Sequence, residues 1–172
     1  MEARDLARAV RQAILWHDRY PKSPGKRFRG APKGAVRRIP YGIHPVWAAM
    51  TILHENSLTE EIRFLGAQVL CSHDFEEDTT APRPKGLSKE VRKLVKLMTF
   101  KNFDEETELL WERPEIVRLF KLYDKISNWL DGEWMYPERR ILHRVHILKI
   151  TEDVKKHFGP LNITRIAHAL CD

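Results

Sequence analysis

A chain of 172 residues with 42% hydrophobic and 31% charged residues has the make-up of an ordinary globular protein, and can bury enough surface to fold without covalent staples. No apolar run approaches the roughly 20 residues of a membrane span. Met1-Glu2-Ala3-Arg4-Asp5 lacks the basic-then-apolar order of a signal peptide, and Cys71 and Cys171 make no disulfide framework, so one domain over residues 1–172, resident in the cytoplasm, is the expectation. The net charge of +6 is local. Arg19, Lys22, Lys26, Arg27, Arg29, Lys33, Arg37 and Arg38 stand together without an acid, and outside that stretch the chain is close to neutral. Such a patch suits a polyanionic small molecule or a nucleic acid.

Taken in chain order, the first predicted helix covers Ala3 to Arg19, with Leu6, Val10, Ala13 and Ile14 at helical spacing. A long basic loop follows. Pro21, Pro24, Pro32 and Pro40 with Gly25, Gly30 and Gly34 argue against regular structure there, and loops of this length are usually functional or disordered. A second helix starts around His44-Pro45 and carries Val46, Ala49, Met50 and Leu53. A third follows Ser57, which with Glu60 resembles a capping box, and ends near His73. Ser88 opens a fourth with Val91, Leu94, Val95 and Met98, and Asp104 is the expected cap of a short fifth. Pro114 opens a sixth that carries Ile116 to Leu130 and stops at Gly132. Pro137 opens a seventh that ends at His157-Phe158-Gly159-Pro160, and Thr164 to Leu170 forms a last short piece. Period-two segments with hairpin turns are missing, so the expected class is all-α.

The third helix is apolar nearly all round, with Ile62, Leu65 and Val69 on one side and Phe64, Ala67 and Cys71 on the other. That pattern belongs to a buried helix. It delivers His73 and Asp74, followed at once by Glu76, Glu77 and Asp78. So many ionisable groups at a buried end need solvent or a cation. Two readings stay open from these residues alone: a metal site, or a helix end capped by His73 with the acids solvated. Elsewhere, His44 lies at a helix start, and Lys121, Asp124 and Asn128 share one helical face opposite Leu119, Leu122, Ile126 and Trp129. That face is by itself consistent with simple solvation.

Together, Pro40-Tyr41-Gly42-Ile43-His44-Pro45, His73-Asp74-Phe75-Glu76-Glu77-Asp78-Thr79 and Lys121-Leu122-Tyr123-Asp124-Lys125-Ile126-Ser127-Asn128 resemble three ordered signatures of the HD-domain hydrolases of the RelA/SpoT type, which read roughly PYxxHP, HDxxEDT and KLADxxxN. The likeness runs from about Ala7 to Leu130, with the helices of residues 137–170 packed onto that core. It implies a single-domain HD-type helical bundle with His44, His73, Asp74 and Asp124 as ligands to one divalent metal. Mixed imidazole and carboxylate ligation suits Mn²⁺ first, with Fe, Co or Zn sharing the same donor types. The resemblance also places Glu77 and Asp78 beside the attacking water and Asn128 against a nucleotide. It implies removal of pyrophosphate from the 3′ position of a guanosine polyphosphate, with another phosphorylated nucleotide as the alternative. Binding of nucleic acid by the basic loop is a further alternative.

Departures bear on the substrate. The Gln-x-Arg-Lys-x-Gly passage of the family has no in-register counterpart here. Arg37 and Arg38 stand a residue or two away, residues 20–34 look inserted, and Tyr123 replaces the alanine of KLAD. The basic loop has two readings: a phosphate clamp, with Arg37 and Arg38 as the expected contacts by forked hydrogen bonding, or a solvated loop serving solubility. Lys121 is expected either to neutralise phosphate or to snorkel at the surface. His17 is expected to pack, His143 and His146 to be solvated, and Trp16, Trp47, Trp111 and Trp129 to anchor the core.

Overall fold

The structure, a computed structural model, describes residues 3–30, 39–82, 86–132 and 135–171. Its helices are α1 (Ala3–Arg19), α2 (Ile43–Leu53), α3 (Glu60–Ser72), α4 (Phe75–Asp78), α5 (Lys89–Met98), α6 (Phe103–Leu109), α7 (Glu115–Leu130), α8 (Pro137–Phe158) and α9 (Asn162–Cys171), with 3-10 turns at Pro24–Arg27 and Leu110–Glu112. Among the described residues strands are absent, and only isolated bridges join Pro21 to Thr79 and Phe28 to Pro40. None of these helices is long and apolar enough to cross a membrane.

Two helices form the interior, and the apolar patterning explains why. In α3 every residue from Leu65 to Ser72 is buried. In α7 burial runs unbroken from Val117 to Ser127. α3 packs against α1, α2, α5 and α7, while α7 also meets α2, α8 and α9. Ile52, Leu70, Leu119, Phe120, Leu122 and Tyr123 fill the space between them. The α2–α3–α7 approach is close at Gly66, where an added Cβ would lie 2.5 Å from Ile52 Cδ1 and 2.7 Å from Phe120 Cε1.

Helix ends follow local chemistry, with two corrections. Thr59, not Ser57, caps α3, its hydroxyl accepting from the Ile62 amide. Asn102, not Asp104, caps α6 by accepting from the Glu105 amide, which leaves Asp104 inside the first turn, where an acid complements the helix dipole. Ser88 caps α5 as expected. Gly159 ends α8 with φ 77°, a left-handed conformation that favours glycine, and its amide returns to Lys155 O. Trp129 is buried, and its indole N–H donates to Leu170 O. Trp111 is 38% exposed and anchors no core.

The start of the basic loop is more ordered than its prolines and glycines suggest. Backbone bonds link Lys22 N to Asp78 O, Thr80 N to Tyr20 O, Arg29 N to Ile39 O and Tyr41 N to Arg27 O. The segment is thereby laced onto the stretch that carries Asp74 and Asp78. Arg37 and Arg38 lie outside the described residues. Because Gly66 has no spare room, Gly66→Val should destabilise the fold by about 2 kcal/mol through overpacking, read from the midpoint of urea unfolding.

Candidate metal centre

Three separate chain segments bring acidic and imidazole groups to one point. His44 sits in the first turn of α2, His73 caps the end of α3, Asp74 begins α4, and Asp124 lies mid-way along α7. His44 Nε2 is 3.2 Å from Asp124 Oδ1 and 3.3 Å from His73 Nε2, which is itself 3.3 Å from Asp124 Oδ1. Asp74 adjoins the same point, with Oδ2 3.4 Å from His44 Nε2 and Oδ1 3.1 Å from His73 Nε2. All four residues are buried. Ligand atoms of His44, His73 and Asp124 lie within 4.8 Å of one another, close enough to share a metal ion.

The surrounding hydrogen bonds test whether a cation fits. His73 Nδ1 donates to the Leu70 carbonyl at 2.7 Å. His44 Nδ1 is 2.8 Å from Ser127 Oγ, whose own proton goes to the His44 carbonyl, so Nδ1 is the donor there too. In the neutral imidazoles both Nε2 atoms therefore carry lone pairs, and these face carboxylate oxygens. With both imidazoles neutral, four acceptors meet with no proton between them. Such a cluster needs positive charge, and outer partners that fix the tautomer in this way are the usual companions of metal-binding histidines. The electrostatics agree. Burial opposes charge on His73, yet Asp74 and Asp124 more than offset it and push the imidazole up to about 9. Burial likewise opposes ionisation of Asp74, but His73 and His44 hold it well below the usual carboxylate range. The donor set fits a divalent metal.

A second layer holds the carboxylates. Tyr41 donates its hydroxyl to Asp74 Oδ2 at 2.9 Å and stacks on buried His17, ring centroids 4.6 Å apart. Asn128 Nδ2 donates to Asp124 Oδ1 at 2.7 Å, and Lys121 Nζ to Asp124 Oδ2 at 3.0 Å. Against burial, Asp124 is held well below its ordinary range by Lys121 and Lys125. Lys121 is buried, which removes the snorkelling reading, and Asp124 on the same face is buried too, with Asn128 half-buried at its edge. Asn128 Oδ1 accepts from Arg29 at 2.7 Å, and Arg29 also forks onto Asp131 at 2.8 and 3.0 Å.

The cluster opens into a cleft of about 390 Å³ whose lining includes Glu77, Asp78, Asn128 and Lys26. Phe100, Phe103, Lys101, Arg139 and His143 also line it. Glu77 is exposed to the cleft, and partial desolvation followed by the charge of Asp74 raises its carboxyl. Asp78 is buried and salt-bridged to Lys26. The expectation for His143 and His146 is overturned, because both are buried. His143 stacks flat on Phe103 with centroids 4.0 Å apart, and His146 Nε2 is 3.1 Å from Glu106 Oε1. An acid partner for His146 does exist, supplied from 40 residues earlier in the chain.

No family model matches the sequence, and no curated protein does either. A solved structure of a metazoan ortholog of SpoT, which hydrolyses ppGpp and plays a role in starvation responses, superposes with a TM-score of 0.69 at 19% identity, covering 99% of this chain and 95% of that one. The chain has the HD-type helical fold. Within this HD-type fold, the sequence motifs located the His44, His73, Asp74 and Asp124 cluster, but gave no role to Arg29, Tyr41, Glu106 or Ser127. Arg29 was visible only as one of eight basic residues, Tyr41 and Ser127 only as members of motifs, and Glu106 carried no local signal. Since Ser127 fixes the His44 tautomer, Ser127→Ala should weaken Mn²⁺ binding about tenfold, measured by isothermal titration calorimetry.

Proposed function

We propose that the chain is a metal-dependent hydrolase of a phosphorylated nucleotide, with guanosine 3′,5′-bis(diphosphate) as the first substrate and its 3′-pyrophosphate as the leaving group. The reading rests on the buried cluster of His44, His73 and Asp124, with Asp74 adjoining it, at the floor of a nucleotide-sized cleft. It draws further support from the fold shared with a ppGpp-hydrolysing protein. Residues 1–172 act as one HD unit in the cytoplasm, and Mn²⁺ is the first choice of ion.

When bound, a divalent ion supplies Lewis acidity toward phosphoryl oxygen and a lowered pKa for water. The protein does the rest. Glu77, whose carboxyl is raised by partial burial and the charge of Asp74 and which faces the cleft, takes the proton from the attacking water. Asp78, locked by Lys26, orients that water. Lys121 holds Asp124 in place and carries positive charge at the cleft wall. Asn128 has one N–H and one lone pair beyond its bonds to Asp124 and Arg29, enough for a polar contact to the nucleotide. Arg37 and Arg38 clamp phosphate oxygens.

One observation favours another nucleotide as substrate. Arg29, Asn128 and Asp131 bond to one another, so much of the polar capacity at this end of the cleft is already in use. A deoxynucleotide, a nucleotide 5′-phosphate or a nicotinamide dinucleotide phosphate would then replace the alarmone. Against a nucleic-acid module, Arg29 is buried against Asp131, and the exposed Lys26 and Arg27 are already paired with Asp78 and Asp18.

The deciding assay incubates the protein with Mn²⁺ and a nucleotide panel and identifies products by mass. Pyrophosphate release from the alarmone is expected, while single phosphate or triphosphate from another nucleotide would replace the first choice. Asp124→Ala should abolish turnover with the helical circular-dichroism signal retained, and full activity in that variant would refute the assignment. Reversing Arg37 and Arg38 to Glu should raise KM by at least tenfold, the equivalent of about 1.4 kcal/mol, with metal content unchanged; an unaltered KM would confine that segment to solubility.

A further inference from the structure

We propose that Glu106 is a positioning residue for Asp124, acting through Lys121 to keep one oxygen of that carboxylate for the metal. The inference rests on the metal-centre reading above.

Glu106 lies on α6, far in sequence from every motif residue, and is 4% exposed. Its Oε2 takes Lys121 Nζ at 3.1 Å and Lys125 Nζ at 2.8 Å, both from α7, and its Oε1 faces His146 Nε2 of α8 at 3.1 Å. Burial works against ionisation of this carboxyl, but Lys121 and Lys125 more than offset it and hold it below its ordinary range. A buried ionic hub of this kind is a poor device for stability, since desolvation cancels most of the attraction. Its geometry points instead to control of the neighbouring site.

Lys121 Nζ stands between two carboxylates, 3.1 Å from Glu106 Oε2 and 3.0 Å from Asp124 Oδ2. An ammonium is a compact charge on a flexible stem, and two anionic partners fix where it rests. The oxygens of Asp124 are thereby divided. Oδ2 belongs to Lys121, and Oδ1, steadied by Asn128, faces the two imidazoles. Lys125 is drawn onto Glu106 and kept 3.8 Å from Asp124 Oδ2. Without the Glu106 charge, the salt-bridge partner left to both lysines among the described residues is Asp124. Two ammonium groups would then compete with the ion for one carboxylate.

The test compares Mn²⁺ affinity by isothermal titration calorimetry, and melting by circular dichroism, in wild type, Glu106→Gln, Lys121→Met and the double variant. Glu106→Gln should bind Mn²⁺ about tenfold more weakly while remaining helical. In the Lys121→Met background the same change should cost much less than tenfold, since only Lys125, 3.8 Å from Asp124 Oδ2, is then released. A folded Glu106→Gln protein with wild-type affinity overturns the inference, and so does a full tenfold loss in the Lys121→Met background. Should Glu106→Gln fail to fold, Glu106→Gln/Lys125→Met, which removes one acid and one base together, is read by the same affinity criterion. Wild-type protein that takes up no Mn²⁺ overturns the metal-centre reading itself, an outcome distinct from equal affinities in wild type and variant.

Discussion

Two imidazole lone pairs and two carboxylates face one another inside the helical core, and the way they are held shapes most of the molecule around them. Each presents its free atoms to the others because a partner behind it removes its other options: Leu70 and Ser127 take the Nδ1 protons, Tyr41 takes one oxygen of Asp74, and Lys121 with Asn128 divides Asp124. Mutual repulsion among four acceptors is a large cost in a low-dielectric interior. It is tolerated here because the groups come from three chain segments whose packing is over-determined elsewhere.

That packing is carried by α3 and α7, the two helices buried along most of their length. Their closeness to α2, enforced at Gly66, sets the distance between His44, His73 and Asp124. The core and the centre are therefore one construction. A cavity or a clash in the Ile52–Phe120 region moves ligands as well as methyl groups. Glu55 extends the same logic to the far end. Its carboxylate accepts from the amides of Asn162 and Ile163 and so fastens the start of α9 beside the α2–α3 turn.

The all-α class, the helix ends at Ser88, Pro114, Pro137 and Gly159, and the four converging side chains were legible in the sequence, because each depends on local patterning or on a short motif. What could not be read there depends on distance in space. Glu106 and His146 pair across 40 residues, so neither announces itself locally, and a histidine pair on α8 reads as solvated until its partner is seen. Arg29 was hidden by its neighbours, since nothing in a run of basic residues says which one turns inward. The inward face of α7 was ambiguous for a related reason. Lys121, Asp124, Lys125 and Asn128 look like a solvated stripe, and become an interior one only when Glu106 and the imidazoles balance their charge.

The bonds from Asp131 through Arg29 and Asn128 to Asp124 form one unbroken polar chain between the basic segment and the centre. Were an anion to recruit the guanidinium, it would alter what Asn128 offers to the carboxylate. Occupancy of the two places would then be thermodynamically linked, and by reciprocity an ion at the centre would change the affinity for the anion by the same factor as the anion changes that for the ion.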